Sequence, residues 1–380
     1  MKCSRYLVFV IAALASSAVA YAAGGGAGNL QTVDPNSHFH PKGKPPSEYT
    51  LKVLKEARGT LPFSDKRDFD EIDEGFMAAP EVWQIKGEGG NVVWDMERYK
   101  FLLEEKEYPS IHPSLQRQST LNMNYGLYEV VPGVYQVRGF DLANISFIKG
   151  DTGWIIFDPL TSKETSRAAF DLLEKHVGKF PVRAVVYSHS HGDHWGGVRG
   201  VVDEADVRDG KVQIIAPRDF MEHAVSENVY AGNAMNRRLF YQYGVLLPAS
   251  PFGHAGQGLM QNVSAGNFGL LPPTLVIEPG IKEIVVDGVP MVFQNTPGTE
   301  APSEMNTYFP EHKALWMAEN VYNGIHNIYT LRGAQVRNPL AWSKYIARAM
   351  FLFGDKAEVM FASHSWPRWG QERINEVLSN

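Results

Sequence analysis

The chain has 380 residues, of which 44% are hydrophobic and 21% are charged, and these values are ordinary for a soluble globular protein. Its formal net charge of −6 gives no basic footprint for nucleic acid, so we expect no nucleic-acid partner. A chain of this length can bury a sizeable core in one large α/β domain or in two smaller ones.

The first 23 residues have the pattern of a secretory signal peptide. Lys2 and Arg5 flank the start of an apolar run at residues 6–15, and small residues follow at 18–23. The run is too short for a transmembrane helix, and an uncleaved membrane anchor is the alternative interpretation. We therefore expect a periplasmic or secreted protein with no stable membrane insertion.

The single cysteine, Cys3, lies inside this segment and would be removed with it. The mature protein would then contain neither thiols nor disulfides, so its stability must come from its core and from any bound metal. A metal site in such a chain must be built from histidine and carboxylate side chains.

Residues 24–125 are predicted to form an N-terminal arm and extension. Glycine, proline and polar residues dominate up to Ser47, which indicates an extended segment. An apolar pattern at residues 51–54 then indicates a helix, and little clear periodicity follows up to residue 125.

Strand patterns begin at residue 126. Pro132 and Gly133 separate two apolar runs, which indicates a β-hairpin. The following runs predict two strands, an amphipathic helix and a short buried strand, at residues 144–149, 154–157, 165–176 and 184–187. Because strands then alternate with helices, the predicted fold class is α/β, with residues 126–380 as one domain.

Residues 224–273 contain repeated glycines and are predicted to be a loop-rich insertion. An insertion of this length in a compact domain is more often functional than idle.

Three histidines and an aspartate stand close together directly after the short buried strand. In an extended backbone, side chains two positions apart point the same way, so His189 and His191 can reach one metal ion. Gly192 frees the chain to turn, which can present Asp193 and His194 toward a second ion. Neutral imidazole and carboxylate ligands suit zinc, manganese or iron, so the segment predicts a metal centre rather than a solvated polar loop.

The pattern H-x-H-x-D-H at residues 189–194 resembles that of the metallo-β-lactamase superfamily. The resemblance implies an αβ/βα sandwich, with residues 126–380 as its catalytic domain preceded by an N-terminal extension. It also implies that Asp158 supports the metal loop from behind. Further along the chain, Glu319 would bridge two metal ions and His364 would be the last ligand.

One ligand position departs from the usual pattern of this superfamily. Many members carry a histidine in T-P-G-H, whereas residues 296–304 read TPGTEAPSE and contain no histidine. The resemblance then implies Glu300 as the ligand, with Glu304 as its rival, and only His326 among the remaining histidines is expected near the pocket. The implied ligands are His189, His191 and Glu300 for one ion, Asp193, His194 and His364 for the other, and Glu319 between them.

Two divalent metal ions are therefore predicted as cofactors, with zinc as the expected metal and with manganese and iron left open. Two ions about 3.5–4 Å apart can activate water and polarise the attacked bond. A centre of this kind can hydrolyse lactams, lactones, phosphoesters and sulfate esters, so the ligand set does not identify the substrate. The residues predicted to act in catalysis are Glu319 and Asp193.

Three segments indicate the class of substrate. Residues 231–238, 329–334 and 365–370 resemble segments of the linear alkyl sulfatases of this superfamily. The resemblance implies hydrolysis of an alkyl sulfate ester, with Arg332 and Arg337 on the sulfate oxygens. A guanidinium offers a planar fork of donors that suits a tetrahedral oxyanion. The residues implied in a loop that closes over the anion are Ser264, Gly266 and Asn267.

Members of that family continue with a helical dimerisation region and a C-terminal lipid-transfer-like domain, which we do not find before this sequence stops at Asn380. A homodimer is therefore left open. Two alternatives to an alkyl sulfatase are kept. One is another dinuclear hydrolase of the same fold, such as a lactonase or a β-lactamase-like enzyme, and the other is an inactive, truncated metal-binding fragment.

Overall fold

The computed structural model describes residues 43–380. The predicted signal peptide at residues 1–23 and the predicted arm at residues 24–42 lie outside the described residues, so the expected export stays a prediction. Within residues 43–380, no helix combines the length and the apolar character needed to cross a membrane.

The helices of the described part follow the local sequence signals. In the fourth of them, the Ser162 hydroxyl accepts a hydrogen bond from the backbone N–H of Thr165 and so caps the helix start. The α-helices are α1 Glu48–Thr60, α2 Arg67–Glu71, α3 Pro113–Leu121, α4 Lys163–His176, α5 Glu204–Arg208, α6 Phe220–Val225, α7 Gly232–Tyr243, α8 Pro339–Phe353 and α9 Gln371–Ser379. The 3₁₀-helical segments are Glu97–Leu103, Gly192–His194 and Val198–Gly200, and Ser226–Tyr230 is a π-helical turn.

Short apolar runs form the strands. Their bounds are β1 Phe76–Ala78, β2 Gln84–Lys86, β3 Val92–Asp95, β4 Gly126–Val131, β5 Val134–Arg138, β6 Ile145–Lys149, β7 Trp154–Phe157, β8 Val182–Val186, β9 Gln213–Pro217, β10 Leu275–Ile277, β11 Ile281–Val286, β12 Val289–Asn295, β13 Met305–Phe309, β14 Ala314–Trp316, β15 Val359–Phe361 and β16 Arg368–Trp369.

The strands form two large sheets and one small hairpin. The eight-stranded sheet has the order β1-β4-β5-β6-β7-β8-β9-β10, the six-stranded sheet runs from β11 to β16 in sequence order, and β2 pairs with β3. The strands from β7 to β10 are parallel, and β14 and β15 are also parallel to each other. Parallel neighbours require crossover connections, which α4 and α8 supply after β7 and β14.

The two large sheets pack face to face, with helices on their outer faces. Between the sheets, the Phe157 ring lies edge-on to Trp316 at 4.7 Å and to Phe309 at 5.4 Å between centroids. Buried residues of α4 cover the other face of the eight-stranded sheet, and those of α8 and α9 cover the six-stranded sheet. This arrangement confirms the predicted αβ/βα sandwich.

Sequence patterns located the elements from β4 to β8, including α4. The predicted hairpin at Pro132 and Gly133 is confirmed by β4 and β5, and the predicted helix at residues 165–176 lies within α4. The prediction of a loop-rich segment at residues 224–273 is wrong for residues 232–243, which form α7. Gly244, with a φ of 63°, ends this helix, and the glycines that suggested a loop begin there.

The described part of the extension, residues 43–125, contacts the sandwich at several points. Strand β1 pairs antiparallel with β4 at the edge of the eight-stranded sheet. Glu71 in α2 accepts a hydrogen bond from Nε of Arg373 at 2.6 Å and pairs with Arg368. Asp68 lies 2.6 Å from NH2 of Arg368. These ion pairs join α2 to β16 and α9.

Candidate metal centre

The predicted metal ligands follow four strands, β8, β12, β14 and β15. Because β12, β14 and β15 share one direction, their carboxyl ends meet at the same edge of the six-stranded sheet. The loop after β8 joins this edge, since the Ser188 carbonyl accepts a hydrogen bond from the N–H of Met305 at 3.0 Å. The side chains presented there are His189, His191, Asp193, His194, Glu300, Glu319 and His364.

Three non-glycine residues beside this edge have positive φ angles. The values are 52° at Asp158, 53° at Ala318 and 65° at Ser365. Such conformations cost of the order of 1–3 kcal/mol each and persist only where the surrounding structure holds them. Each of these residues is itself a predicted site residue or adjoins one, so the strained turns occur where the chain aims side chains at the centre.

The first cluster consists of His189, His191, Glu300 and Glu319, whose donor atoms lie within 4.8 Å of one another. Nε2 of His189 lies 3.2 Å from Oε2 of Glu300 and 3.3 Å from Oε2 of Glu319. Nδ1 of His191 lies 2.9 Å from Oε2 of Glu300. All four residues are buried, and they coincide with the ligand set expected for one ion.

The second cluster consists of Asp193, His194, Glu319 and His364, again within 4.8 Å of one another. Oε2 of Glu319 lies 3.0 Å from Nε2 of His194 and 3.0 Å from Nε2 of His364. Oδ2 of Asp193 lies 3.0 Å from Nε2 of His194. Oε2 of Glu319 therefore belongs to both clusters, which is the position expected of a bridging carboxylate.

The donor set of these clusters fits divalent metal ions. Among residues 43–380, Nε2 of His194, Nε2 of His364 and Oε2 of Glu300 are buried and have no hydrogen-bond partner. A buried polar atom without a partner is costly, and cations bound at the two clusters would satisfy all three. Imidazole and carboxylate ligands together suit zinc, manganese and iron.

Asp158 supports the centre from behind. Its Oδ2 accepts hydrogen bonds from Nδ1 of His194 at 2.8 Å and from the hydroxyls of Ser188 and Ser363 at 2.7 Å each. Its Oδ1 accepts another from the backbone N–H of Ser188 at 2.7 Å. Partners of this kind fix the ring orientation of a ligand histidine, here with Nε2 toward the second cluster.

Two further histidines are fixed in the same way. Because the Ser188 hydroxyl donates to Asp158, it accepts a hydrogen bond from Nδ1 of His189, which lies 2.7 Å away. Nδ1 of His364 donates to the Leu142 carbonyl at 3.0 Å. In the neutral form that metal binding requires, both rings therefore carry their proton on Nδ1 and present the Nε2 lone pair to the clusters.

The pKa shifts of His191 and Glu319 favour a bound cation. Burial lowers the pKa of His191 to about 4, so this ring is neutral at neutral pH. Burial opposes the charge of Glu319, but His364, His189 and His194 outweigh it and hold the pKa of this carboxyl well below its usual value. A neutral imidazole and an ionised carboxylate are the forms that metal binding requires.

Glu304, the rival of Glu300, is engaged elsewhere. Its Oε1 accepts a hydrogen bond from the N–H of Glu319 at 3.1 Å, and its Oε2 accepts one from the Thr299 hydroxyl at 2.9 Å. Burial, together with the charges of Glu300 and Glu319, raises the pKa of Glu304 well above its usual value. The structure therefore brings Glu300 to the first cluster and places Glu304 behind it.

A cavity of about 560 Å³ opens beside the two clusters, and Asp193, Glu300 and Glu319 form part of its lining. His326 also lines it, as expected, and donates from Nε2 to the Glu319 carbonyl at 2.8 Å. A cavity with a charged end and an apolar wall fits a small amphiphilic molecule. Its apolar side chains include Leu142, Met235, Leu239, Leu259 and Phe268.

The two arginines expected to hold sulfate both line this cavity but differ in their contacts. Nε and NH1 of Arg337 donate to the carbonyls of Glu300 and Asn327, each at 2.8 Å, and NH2 pairs with the Glu300 carboxylate. Arg332 instead has its NH2 3.7 Å from Oε2 of Glu227. The geometry assigns Arg337 to the support of Glu300, and Arg332 remains a candidate for the anion.

Ser264 and Asn267, expected in a loop that closes over the anion, are absent from the cavity lining. The Ser264 hydroxyl donates to Oδ2 of Asp141 at 2.7 Å. Asn267 donates from its backbone N–H to Oε2 of Glu164 at 2.8 Å and from its side-chain amide to Oε1 at 2.5 Å. The polar groups of Ser264 and Asn267 therefore bond to Asp141 and to the first turn of α4 rather than to a molecule in the cavity.

Glu227, a buried residue of the cavity wall, was not predicted from the sequence. Its Oε2 lies 3.5 Å from Nε2 of His191 and 3.7 Å from NH2 of Arg332. Glu227 belongs to the π-helical turn Ser226–Tyr230, inside the segment predicted as loop. No motif or spacing in the sequence marks it, because its position depends on how this turn packs against the metal loop.

This chain is similar in sequence to known proteins. The sequence profile of the metallo-β-lactamase superfamily matches residues 138–364, a range that contains every predicted metal ligand. A linear primary-alkylsulfatase from Pseudomonas sp. is 50% identical over 337 residues, which are 88% of this chain and 50% of that protein. An (R)-specific secondary-alkylsulfatase from Pseudomonas sp. is 45% identical over 338 residues, 89% of this chain and 51% of that protein.

A solved structure has a similar fold. The stereoselective inverting sec-alkylsulfatase from Pseudomonas sp. superposes with a TM-score of 0.86 at 44% identity, covering 90% of this chain and 54% of that chain. The similarity thus includes the extension as well as the sandwich. The chain spans about half the length of the curated relatives named above.

Proposed function

This chain belongs to the metallo-β-lactamase superfamily, and we propose that it hydrolyses alkyl sulfate esters to an alcohol and sulfate. The observation that carries the proposal is the position of Glu319, which is shared by two ligand clusters at the charged end of a partly apolar cavity. The similarity to two proteins named alkylsulfatases, at 50% and 45% identity, supports the substrate class.

The proposal includes two divalent metal ions, with zinc as the expected metal. When bound, such a pair lowers the pKa of water and polarises the oxygens of an ester. The first cluster would hold one ion and the second cluster the other, with Glu319 contributing to both. Asp158 and Arg337 would then orient the ligands His194 and Glu300 from outside.

Arg332 supplies the positive charge for the sulfate group. Its side chain is 13% exposed, so its charge acts where water screens it less than at the surface. Its guanidinium can donate two parallel hydrogen bonds to two sulfate oxygens. The apolar side chains of the cavity wall would take the alkyl chain out of water, which stabilises the complex by about 0.8 kcal/mol for each buried methylene.

Asp193 and Glu319 orient the attacking water in this proposal. Both carboxylates line the cavity, and the surrounding histidines hold the pKa of Glu319 well below its usual value despite burial. An ionised carboxylate is a strong acceptor and fixes the direction of a water O–H bond. This proposal therefore gives both residues predicted to act in catalysis a role in orienting the water.

Sulfate release from dodecyl sulfate tests the function. The zinc-loaded chain is expected to release sulfate, and Arg332→Ala is expected to lower kcat/KM about 10- to 100-fold, because a hydrogen bond to a charged group contributes about 1.5–3 kcal/mol. Arg348→Ala changes an exposed arginine of α8 and is the matched control, with an expected rate equal to that of the wild type.

Three outcomes would count against this account. Faster hydrolysis of a lactone or a β-lactam than of dodecyl sulfate would favour another dinuclear hydrolase of the same fold. No turnover by a folded chain with two bound metal ions would favour an inactive metal-binding protein. Unchanged kcat/KM in Arg332→Ala would contradict the assignment of this arginine to the anion.

A further inference from the structure

We propose that Glu227 is a positioning residue that holds His191 in its metal-binding tautomer and holds Arg332 in the cavity. The inference rests on the proposed function for the presence of a metal centre. It adds one residue that links this centre to the arginine at the substrate anion.

Three of the four histidines in the two clusters have a hydrogen-bond acceptor at Nδ1, the ring nitrogen that points away from the cluster. Nδ1 of His194 has Asp158 as acceptor, Nδ1 of His189 has the Ser188 hydroxyl, and Nδ1 of His364 has a backbone carbonyl. These three rings present Nε2 to the clusters. Each has therefore a partner that fixes both its tautomer and its orientation.

His191 is turned the other way round. Its Nδ1 faces the first cluster, 2.9 Å from Oε2 of Glu300, so the ring must carry its proton on Nε2 when Nδ1 binds a metal. That Nε2 is buried and makes no hydrogen bond within residues 43–380. The carboxylate within reach is Glu227, whose Oε2 lies 3.5 Å away.

Glu227 is placed for this role by its own surroundings. In the turn Ser226–Tyr230, the three residues after Glu227 are exposed, whereas Glu227 itself is 8% exposed and lines the cavity. Its Oε1 has no hydrogen-bond partner among the described residues. The unpartnered Nε2 of His191 thus lies beside a buried carboxylate that has one unpartnered oxygen. A shortening of this contact by about 0.5 Å would give a normal N–H···O bond.

The second contact of Glu227 reaches the substrate side. NH2 of Arg332 lies 3.7 Å from Oε2 of Glu227, and the two side chains are 13% and 9% exposed. A single carboxylate oxygen thus lies between the outer nitrogen of a metal ligand and the guanidinium assigned to sulfate. Loss of its charge is expected to weaken both metal binding and anion binding.

The test measures zinc affinity and sulfate affinity in the full chain. Glu227→Gln keeps the size of the side chain and removes its charge. We expect zinc affinity, measured by competition with a chromophoric chelator, to fall about 10- to 100-fold, as for other partners of ligand histidines. We also expect weaker binding of inorganic sulfate to the zinc-loaded chain in calorimetry. Glu227→Asp, which keeps the charge, is expected to lose less than Glu227→Gln in both measurements.

Glu222→Gln is the matched control, because it removes the same charge from an exposed position of α6. Wild-type zinc and sulfate affinities in Glu227→Gln would overturn the inference. The outcome is separable from that of the proposed function. Weaker zinc binding in Glu227→Gln supports the inference even if the wild type hydrolyses no sulfate ester, and unchanged binding refutes it even if the wild type does.

A measurement on the wild type covers the case in which the variants fail to fold. Nitrogen-15 spectra of the histidine rings in the zinc-loaded chain are expected to show a protonated Nε2 at His191, assigned by its loss in His191→Asn. Its proton is expected far downfield, as for a hydrogen bond to a carboxylate. A proton on Nδ1, or an Nε2 proton without such a shift, would contradict the role of Glu227.

Discussion

Replacing Glu319 by alanine is expected to abolish sulfate release and to lower zinc affinity by more than about 100-fold. Loss of a partner outside the ligand shell already costs about 10- to 100-fold in metal affinity, and Glu319 lies inside both ligand shells. Its Oε2 is within 3.0–3.3 Å of Nε2 of His189, His194 and His364. Without it, each cluster loses an anionic donor, and the three buried imidazoles lose the carboxylate oxygen that they share.

Metal content by elemental analysis and sulfate release from dodecyl sulfate together check this expectation. Glu319→Gln is measured alongside, because it preserves the size of the side chain and so separates the loss of metal from a loss of packing. Glu311→Ala, at an exposed position in the same part of the chain, is the control and should behave as the wild type. Two bound zinc ions and wild-type turnover in Glu319→Ala would refute the bridging role.

Replacing Arg337 by methionine is expected to destabilise the metal-free protein by about 3–5 kcal/mol, the cost of breaking a buried ion pair. Glu300 is 3% exposed, and Arg337 pairs with its carboxylate and also donates to its carbonyl. Methionine leaves this buried carboxylate without its cation. Bound zinc would replace part of that positive charge, so the loss of stability is expected to be smaller in the zinc-loaded protein.

The free energy of unfolding in urea, with chelator and with saturating zinc, measures both quantities. Arg348→Met is the matched control at an exposed position of α8 and is expected to change neither. An equal loss of unfolding free energy with and without zinc would show that Arg337 does not act through Glu300. A stability equal to that of the wild type in chelator would show that the pair contributes nothing.

Site residues that stand close together in the sequence were easier to predict than those that are far apart in it. His189, His191, Asp193 and His194 stand within six consecutive residues, so residue type and strand geometry alone indicated a metal centre. Glu319 and His364 carry no local signal of this kind and followed only from the resemblance to a known superfamily. Their approach to the centre depends on the pairing of β14 with β15, which a single sequence does not display.

Choices between neighbouring residues needed the structure. Glu300 and Glu304 stand four positions apart in one loop, and only the fold shows Glu300 in the first cluster and Glu304 behind it. Arg337 and Arg332 were equivalent candidates for sulfate, but the carboxylate of Glu300 engages the first. Glu227 had no signal at all. In each case the deciding contact joins segments that are distant in the sequence.

Loop positions were the least predictable part. Ser264 and Asn267 were placed over the anion by resemblance, yet their polar groups bond to Asp141 and Glu164. The glycine count of residues 224–273 suggested loop and concealed α7, because the glycines stand at and after the end of that helix. By contrast, the alternating pattern of the hairpin and the amphipathic pattern of α4 follow directly from burial on one face.

The most direct test of the central claim is the rate of sulfate release from dodecyl sulfate as a function of zinc bound per chain. Because Oε2 of Glu319 lies in both clusters, the account predicts a dinuclear centre. Little sulfate should be released with one ion per chain, and the full rate should be reached with two. The full rate with a single ion, or no release from a folded chain that holds two, would contradict it.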